Sequence, residues 1–299
     1  MDACEALVRM PQEFSEPTTH NGDVPASRTA LCLGSGGLSG AAWQLGVLAG
    51  LVEAGLELGA ADLIVGTSAG ALIGAHLALG RSPQEIAEQL GRLSLDGKLS
   101  TPALARLLAA QAWPSRRHAL LWLGRRATGS GWSSEVEQRW VRSVGGGLVG
   151  QPWPDGLVVV AVDAASGRPA YFTAATAVPL PRAVAASCAI PGVFPPVVID
   201  DRPHFDGGLR SPANLDVADG CDRVLAIAPL TGSLRAHRRP AAQASRLARG
   251  ARVLLIEPDG PARRAIGVDV VSVRRLGRAM AEGHRSGLDA ASEARALFG

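Results

Sequence analysis

From Ile64 to Gly80 the chain runs 17 residues without Asp, Glu, Lys or Arg, and Gly66-Thr67-Ser68-Ala69-Gly70 lies near the start of that run. So long an uncharged stretch has to be buried, either in lipid or in protein. It is short for a bilayer span, it contains His76, and it opens with a turn sequence. The account that fits is a buried strand, Leu63-Ile64-Val65, which turns at Gly66–Gly70 and continues as an apolar helix to Gly80. Strand, G-x-S-x-G and helix in that order form the setting of a nucleophile elbow, with Gly66 and Gly70 keeping neighbouring Cβ atoms away from Ser68. The same residues also suit a plain tight turn with a capping serine.

An earlier segment has a similar shape. Thr29–Leu33 is a short apolar run, Gly34-Ser35-Gly36-Gly37-Leu38-Ser39-Gly40 is a glycine-rich loop, and a helix is expected from Ala41 to Ala54, closed by Gly55. Residues 81–150 read as helical, with Thr101-Pro102 opening one helix. Further strands are expected at Leu157–Val162, Ala170–Thr173, Val197–Ile199, His204–Asp206, Val224–Ile227 and Val253–Ile256. Helices are expected near Leu180–Ala186, Ala241–Arg249 and Arg274–Phe298. Strands alternating with helices predict an α/β sandwich around a mainly parallel sheet. Residues 1–27 carry net charge −4 and three prolines, which predicts a disordered acidic tail; lacking an apolar core segment, they do not read as a signal peptide. Residues 28–299 are then one domain, with 81–150 as a helical insertion or lid.

Composition narrows the chemistry. The single lysine, Lys98, is followed by Leu99 rather than Ser or Thr, so there is no phosphate loop, and Schiff-base chemistry has one residue to draw on. Cys4, Cys32, Cys188 and Cys221 form no C-x-x-C pair, which argues against zinc and against a disulfide framework and fits a reducing, cytoplasmic setting. No His/Asp/Glu cluster or calcium loop is present, so neither metal nor cofactor is expected. Net charge is +3 and no basic run exceeds a pair, a poor footprint for nucleic acid.

In the glycine loop, Ser39 stands where a dinucleotide fingerprint needs its last Gly. The alternatives are an ordinary strand–helix turn or an oxyanion loop, in which Gly36 and Gly37 offer backbone N–H groups at a helix start. Ser68 needs a base. His76 lies eight residues further along the same helix, about 12 Å away, which is too far. Asp206, in His204-Phe205-Asp206-Gly207-Gly208, ends a short strand where two glycines allow a sharp turn, though Asp-Gly is also a common turn signal. Asp155-Gly156 and Asp259-Gly260 read as turns only, and His204 as a packing residue.

Together these pieces resemble the patatin-like phospholipase family, from about Thr29 to Pro229. The likeness rests on Ser35–Gly40 before Ala-Ala-Trp-Gln-Leu-Gly-Val-Leu, on Gly66–Gly70, on Asp206-Gly207-Gly208, and on the intervening Ala185–Pro196. It implies a three-layer α/β/α patatin-like fold and a Ser–Asp dyad that hydrolyses lipid acyl esters: Ser68 as nucleophile, Asp206 as proton acceptor, and the amides of Gly36, Gly37 and Leu38 around the oxyanion, with Gly40, Gly66, Gly70, Gly207 and Gly208 supporting the motifs. The family pattern Gly-Gly-Gly-x-Arg/Lys-Gly is altered here, with Ser35 for the first Gly and Ser39 for the cation. Two other readings compete with the dyad. One is an α/β-hydrolase esterase using Ser68, Asp206 and His284; the other is a catalytically weak lipid-binding module.

Segment 81–150 holds ten basic residues against five acids and four of the six tryptophans, Trp113, Trp122, Trp132 and Trp140. Basic pairs flanking Ala119–Leu123 suit either core packing on the sheet or peripheral contact with an anionic lipid surface.

Overall fold

A computed structural model describes residues 27–92, 101–129, 131–233, 235–267 and 273–298. The expected acidic tail therefore lies almost wholly outside the described residues, as does Lys98. In chain order the elements are β1 (Thr29–Leu33), α1 (Gly37–Glu53), β2 (Leu63–Thr67), α2 (Ala69–Ala78), α3 (Pro83–Gly91), α4 (Thr101–Ala112), α5 (Arg116–Thr128), α6 (Ser134–Gly145), β3 (Leu157–Asp163), β4 (Pro169–Phe172), α7 (Leu180–Ser187), β5 (Val197–Ile199), β6 (Arg202–Asp206), β7 (Arg223–Ile227), α8 (Pro240–Leu247), β8 (Arg252–Ile256), α9 (Gly260–Ile266) and α10 (Leu276–Phe298).

Five strands run parallel in the order β8-β7-β1-β2-β3. Their side chains alternate between two apolar layers, as strand geometry requires. Leu31, Leu33, Ile64, Leu157, Val159, Leu225 and Ile227 face the thicker helical layer, which includes residues of α1, α2, α7 and α10. Ala30, Cys32, Val65, Val158, Val160, Val224 and Ala226 face the other side, where Leu215, Ala218 and Ala244 of α8 cover them. Helices thus lie on both faces, giving a three-layer α/β/α arrangement.

The antiparallel strands set the site. Val159 and Val160 of β3 pair with both β2 and β4, while Ala161 and Val162 pair with both β6 and β4. A strand has two flanks, so β4 occupies one and the other is shared end to end by β2 and β6. β2 climbs that flank until Thr67 faces Val160, and β6 descends it until Asp206 faces Ala161. The residue after Thr67 and the last residue of β6 therefore meet. β5 and β6 form a hairpin whose turn residues, Asp200 and Asp201, both have positive φ, the conformation of a tight type I′ turn.

Two element expectations change. α1 begins at Gly37 rather than Ala41, so the end of the glycine loop is the first helical turn. Asp259-Gly260 is not a bare turn: the Asp259 carboxylate accepts the Ala262 N–H at 2.9 Å and caps α9, with Pro261 in the first turn. α1 and α10 pack backbone to backbone, because a Cβ on Gly46 or Gly283 would lie 2.1 Å from a carbonyl oxygen of the facing helix.

Candidate active site

Ser68 joins β2 to α2 at φ 55°, ψ −122°, a left-handed conformation that is strained for a residue with a Cβ. The strain is held from both sides. The Ser68 N–H donates to Ser187 Oγ at 2.8 Å, and that hydroxyl donates to the Val160 carbonyl at 2.6 Å, so α7 ties the elbow to β3. The flanking glycines are required by space: a Cβ at Gly70 would lie 2.1 Å from the Leu33 carbonyl oxygen, and one at Gly66 would lie 2.5 Å from Ala71 Cα. Sequence reading did not single out Ser187, although it lies inside the Ala185–Pro196 segment.

The Ser68 hydroxyl donates to Asp206 Oδ2 at 2.7 Å, and both residues are buried. Asp206 Oδ1 accepts the Gly208 N–H at 2.7 Å. Burial pushes the Asp206 carboxyl up to about 6, against the opposing pull of its bonds from Ser68 and Gly208. The turn after Asp206 has no room for side chains: a Cβ at Gly207 would sit 2.2 Å from the Val160 oxygen, and one at Gly208 would sit 2.6 Å from Ser35 Oγ. Asn214, which no motif marks, fastens this turn to the elbow. Its Nδ2 donates to Thr67 Oγ1 at 3.0 Å, to the Ser211 carbonyl at 3.0 Å and to the Gly207 carbonyl at 3.3 Å.

The glycine loop is anchored by Gly34 N–H to Ile227 O (3.0 Å), by Ser35 N–H and Oγ to Pro212 O (2.7 and 2.9 Å), and by Gln44 Nε2 to Gly34 O (2.9 Å). Ser35 thus supplies a side-chain anchor that glycine lacks. Ser39, at the family's cation position, is buried and its hydroxyl has no partner among the described residues. The first N–H groups of a helix have no intrahelical carbonyl to bond; in α1 the Gly40 N–H is the first to find one, Gly36 O at 3.0 Å. Gly37 and Leu38 therefore present amides where they line a cleft of about 460 Å³ together with Ser68. Gly36, at the N-cap, packs against Pro229 and Gly40 instead of lining that cleft. Leu72, Leu90, Trp140, Val144 and Phe194 make the rest of the cleft apolar, and Trp140 stacks on Phe194 with centroids 4.0 Å apart. Cys188 lines it too, its thiol pushed well above the ordinary range by burial and by Asp206.

Among the described residues no histidine lines the cleft with Ser68. Burial, aided by Arg81, pushes His76 down to about 4. His204 contacts Phe172 edge-on at 5.4 Å and the Arg202 carbonyl through Nδ1 at 2.8 Å. His284, on α10, bonds Glu53 through Nε2 at 2.8 Å. Among the described residues no group of three or more His, Cys, Asp or Glu is placed to hold a metal, and no helix is long and apolar enough to cross a membrane. Segment 81–150 divides its roles by face: Trp140 is buried under the cleft, whereas Trp113 and Trp132 are exposed.

The uncharacterized NTE family proteins Mb1092c of Mycobacterium bovis and Rv1063c of Mycobacterium tuberculosis are each 31% identical to this chain over 214 residues, which is 69% of the chain and 50% of the relative. The chain spans about half the length of these curated relatives. Among solved structures, VipD from Legionella pneumophila is similar at 14% identity and TM-score 0.48, covering 90% of this chain and 67% of VipD. The type III effector protein ExoU is similar at 17% identity and TM-score 0.43, covering 89% of this chain and 53% of ExoU. The model of the patatin-like phospholipase family matches residues 31–219, more than half of the chain and inclusive of the glycine loop, the elbow and the Asp206 turn. The chain belongs to the patatin-like phospholipase family.

Proposed function

We propose that the chain is a serine lipid acyl hydrolase, of phospholipase A or esterase type, working through a Ser68–Asp206 dyad. The observation that carries this reading is the 2.7 Å hydrogen bond from the Ser68 hydroxyl to a buried carboxylate, at a strained elbow opening on an apolar cleft. Ser68 Oγ attacks the acyl carbonyl while its proton passes to Asp206 Oδ2. The amides of Gly37 and Leu38, in the first turn of α1, receive the oxyanion. Collapse of the tetrahedral intermediate breaks the bond to the alcohol, which leaves with the proton from Asp206. Water then attacks the acyl-enzyme, giving its proton to Asp206, and the fatty acid departs as Ser68 is reprotonated. An aspartate of ordinary pKa is a weak base; one raised to about 6 is closer to the working pH of a neutral hydrolase.

Access fits a lipid surface. Trp113 and Trp132 are exposed, Trp113 and Trp122 lie 6.0 Å apart, and Arg126 covers Trp122 at 4.7 Å. Aromatic rings beside guanidiniums are suited to the interface of an anionic membrane, so peripheral contact through this corner belongs to the same proposal.

The test is hydrolysis of p-nitrophenyl esters of graded chain length and of phospholipid vesicles by wild type, Ser68→Ala, Asp206→Asn and His284→Ala. Losses of about 10³-fold or more in the first two variants, with the third active, are expected. A folded wild type inactive on every ester would sink the proposal and favour a lipid-binding module.

A further inference from the structure

Beside the Asp206 turn lies a second cleft, of about 490 Å³, that the steps above leave unused. Leu120 and Leu123 of α5 give it an apolar side, and Arg116, at the start of that helix, joins Arg210 and Arg235 in lining it. Arg116 Nη2 donates to the Leu209 carbonyl at 2.5 Å, and Arg235 donates to the carbonyls of Trp113 and Pro114. These carbonyls orient the guanidiniums without neutralising them. Arg210 is held by Asn214 and, through both prongs, by Asp216, the carboxylate that offsets this group. Arg238 adds a fourth guanidinium, and its Nε is buried without a hydrogen-bond partner. Burial and the fields of Arg238, Arg210 and Arg235 push Arg116 down to about 9, so it is still charged at neutral pH.

Four guanidiniums around one aspartate repel one another, and an anion seated among them relieves that repulsion. Guanidinium forks match phosphate oxygens in pairs. Gly208, whose N–H bonds Asp206, lines this cleft, while Ser68 lines the apolar one. The 2.7 Å bonds from Ser68 Oγ and from the Gly208 N–H to the two oxygens of Asp206 put Gly208 one carboxylate away from the nucleophile, and this is the span the alcohol portion of an ester held at Ser68 has to cover to reach the second cleft. We propose that the cleft lined by Arg116, Arg210 and Arg235, with Arg238 adding its field, is the subsite for the phosphate of a phospholipid head group. The assignment rests on the acyl-hydrolase reading of Ser68 and Asp206.

Calorimetric titration of Ser68→Ala protein separates the two claims, because it reads binding without turnover. The probes are monomeric dihexanoyl-phosphatidylglycerol, glycerol 3-phosphate and inorganic phosphate. The lipid is expected to bind most tightly, and Arg116→Gln with Arg235→Gln to weaken it about tenfold or more. Arg116→Lys with Arg235→Lys, which keeps charge but loses the forks, is expected to fall between. Arg278→Gln, exposed on α10, serves as the control, and thermal melts check folding. Lipid binding insensitive to the double substitution overturns the assignment. Inorganic phosphate binding as tightly as the lipid overturns it too, making the cleft a site for free phosphate. In the protein with Ser68 intact, the double substitution is expected to lower kcat/KM for the lipid relative to p-nitrophenyl hexanoate about tenfold, mainly through KM. An unchanged ratio contradicts the subsite. Failure of wild type to turn over any ester would instead sink the hydrolase reading, while the titration still decides what the cleft binds.

Discussion

Two clefts of similar size adjoin the Ser68–Asp206 pair and are built from opposite materials. The first is walled by α1, α2, α3 and α6 and is almost entirely apolar. The second lies between α4, α5 and the segments around 209 and 233, and it gathers arginines. The helical stretch 81–150 contributes to both: Leu90, Trp140 and Val144 to the first, Leu107, Arg116 and Leu123 to the second. On the proposed reading each cleft takes one half of an amphiphile, with the ester between the halves at Ser68. Ser68 and Asp206 are themselves buried, and burial is what raises Asp206.

The largest effect is expected where the clefts meet. Asp206→Asn is predicted to lower kcat/KM about 10³-fold or more, measured on a short neutral ester. Wild-type activity should rise with pH through about 6, since the base must be ionised. Stability runs the other way. A carboxylate raised from 3.8 to about 6 binds its proton more tightly folded than unfolded, so stability is lost as pH climbs through that window. Asp206→Asn removes that loss and should be more stable than wild type at pH 8 by roughly 1–3 kcal/mol, and so melt at a higher temperature. Equal melting of the two proteins at pH 8 would show that the carboxylate is not desolvated at the seam.

Filling the apolar cleft is the next break. Val144→Trp places a large ring among Leu72, Leu90 and Trp140. Hydrolysis of a twelve-carbon ester is predicted to fall about 10–100-fold relative to a four-carbon one. A uniform loss across chain lengths would argue that the acyl chain lies elsewhere.

How much of this was legible beforehand differs between the clefts. Ser68 and Asp206 stand in short motifs with glycines at fixed offsets, because the elbow and the turn leave no space for Cβ atoms. The parallel sheet follows from strand–helix alternation. The head-to-head approach of β2 and β6 was not legible, since strand pairing depends on register and not on local pattern. Nor was the arginine cluster: residues 116, 210, 235 and 238 share no motif and meet only through tertiary packing. α9 was missed for a local reason, because Asp-Gly serves both as a turn and as a cap with the first helical residue. Asn214 is silent in sequence for the same tertiary reason.

Asn214 sharpens the link between the clefts. Its Nδ2 holds Thr67 and Gly207, and its Oδ1 receives Arg210, so one amide touches the elbow, the aspartate turn and the cationic wall. Asn214→Ala is predicted to lower kcat about tenfold by loosening the Ser68–Asp206 geometry, and to destabilise the fold by about 1–3 kcal/mol through unpaired buried groups. A change in KM alone would place its role in head-group binding rather than in alignment.

The smallest effect is expected furthest from either cleft. His284 pairs with Glu53, the last residue of α1, and both side chains are well exposed, at 39% and 64%. Exposed ion pairs contribute little, with a median of about 0–1 kcal/mol. The Ser68 hydroxyl already has its acceptor in Asp206, which leaves no gap for an imidazole between them. His284→Ala should therefore leave kcat/KM within about twofold of wild type and shift stability by about 0.5 kcal/mol or less. A loss of activity comparable to that of Ser68→Ala would require α10 to bring His284 to the elbow. The backbone contact of Gly283 and Gly287 with α1 opposes such a movement, because the helices cannot slide without lifting two glycines out of contact with facing carbonyls. The activity of this variant therefore separates a two-residue machine at the seam of two clefts from a three-residue one that would need the helical layer to open.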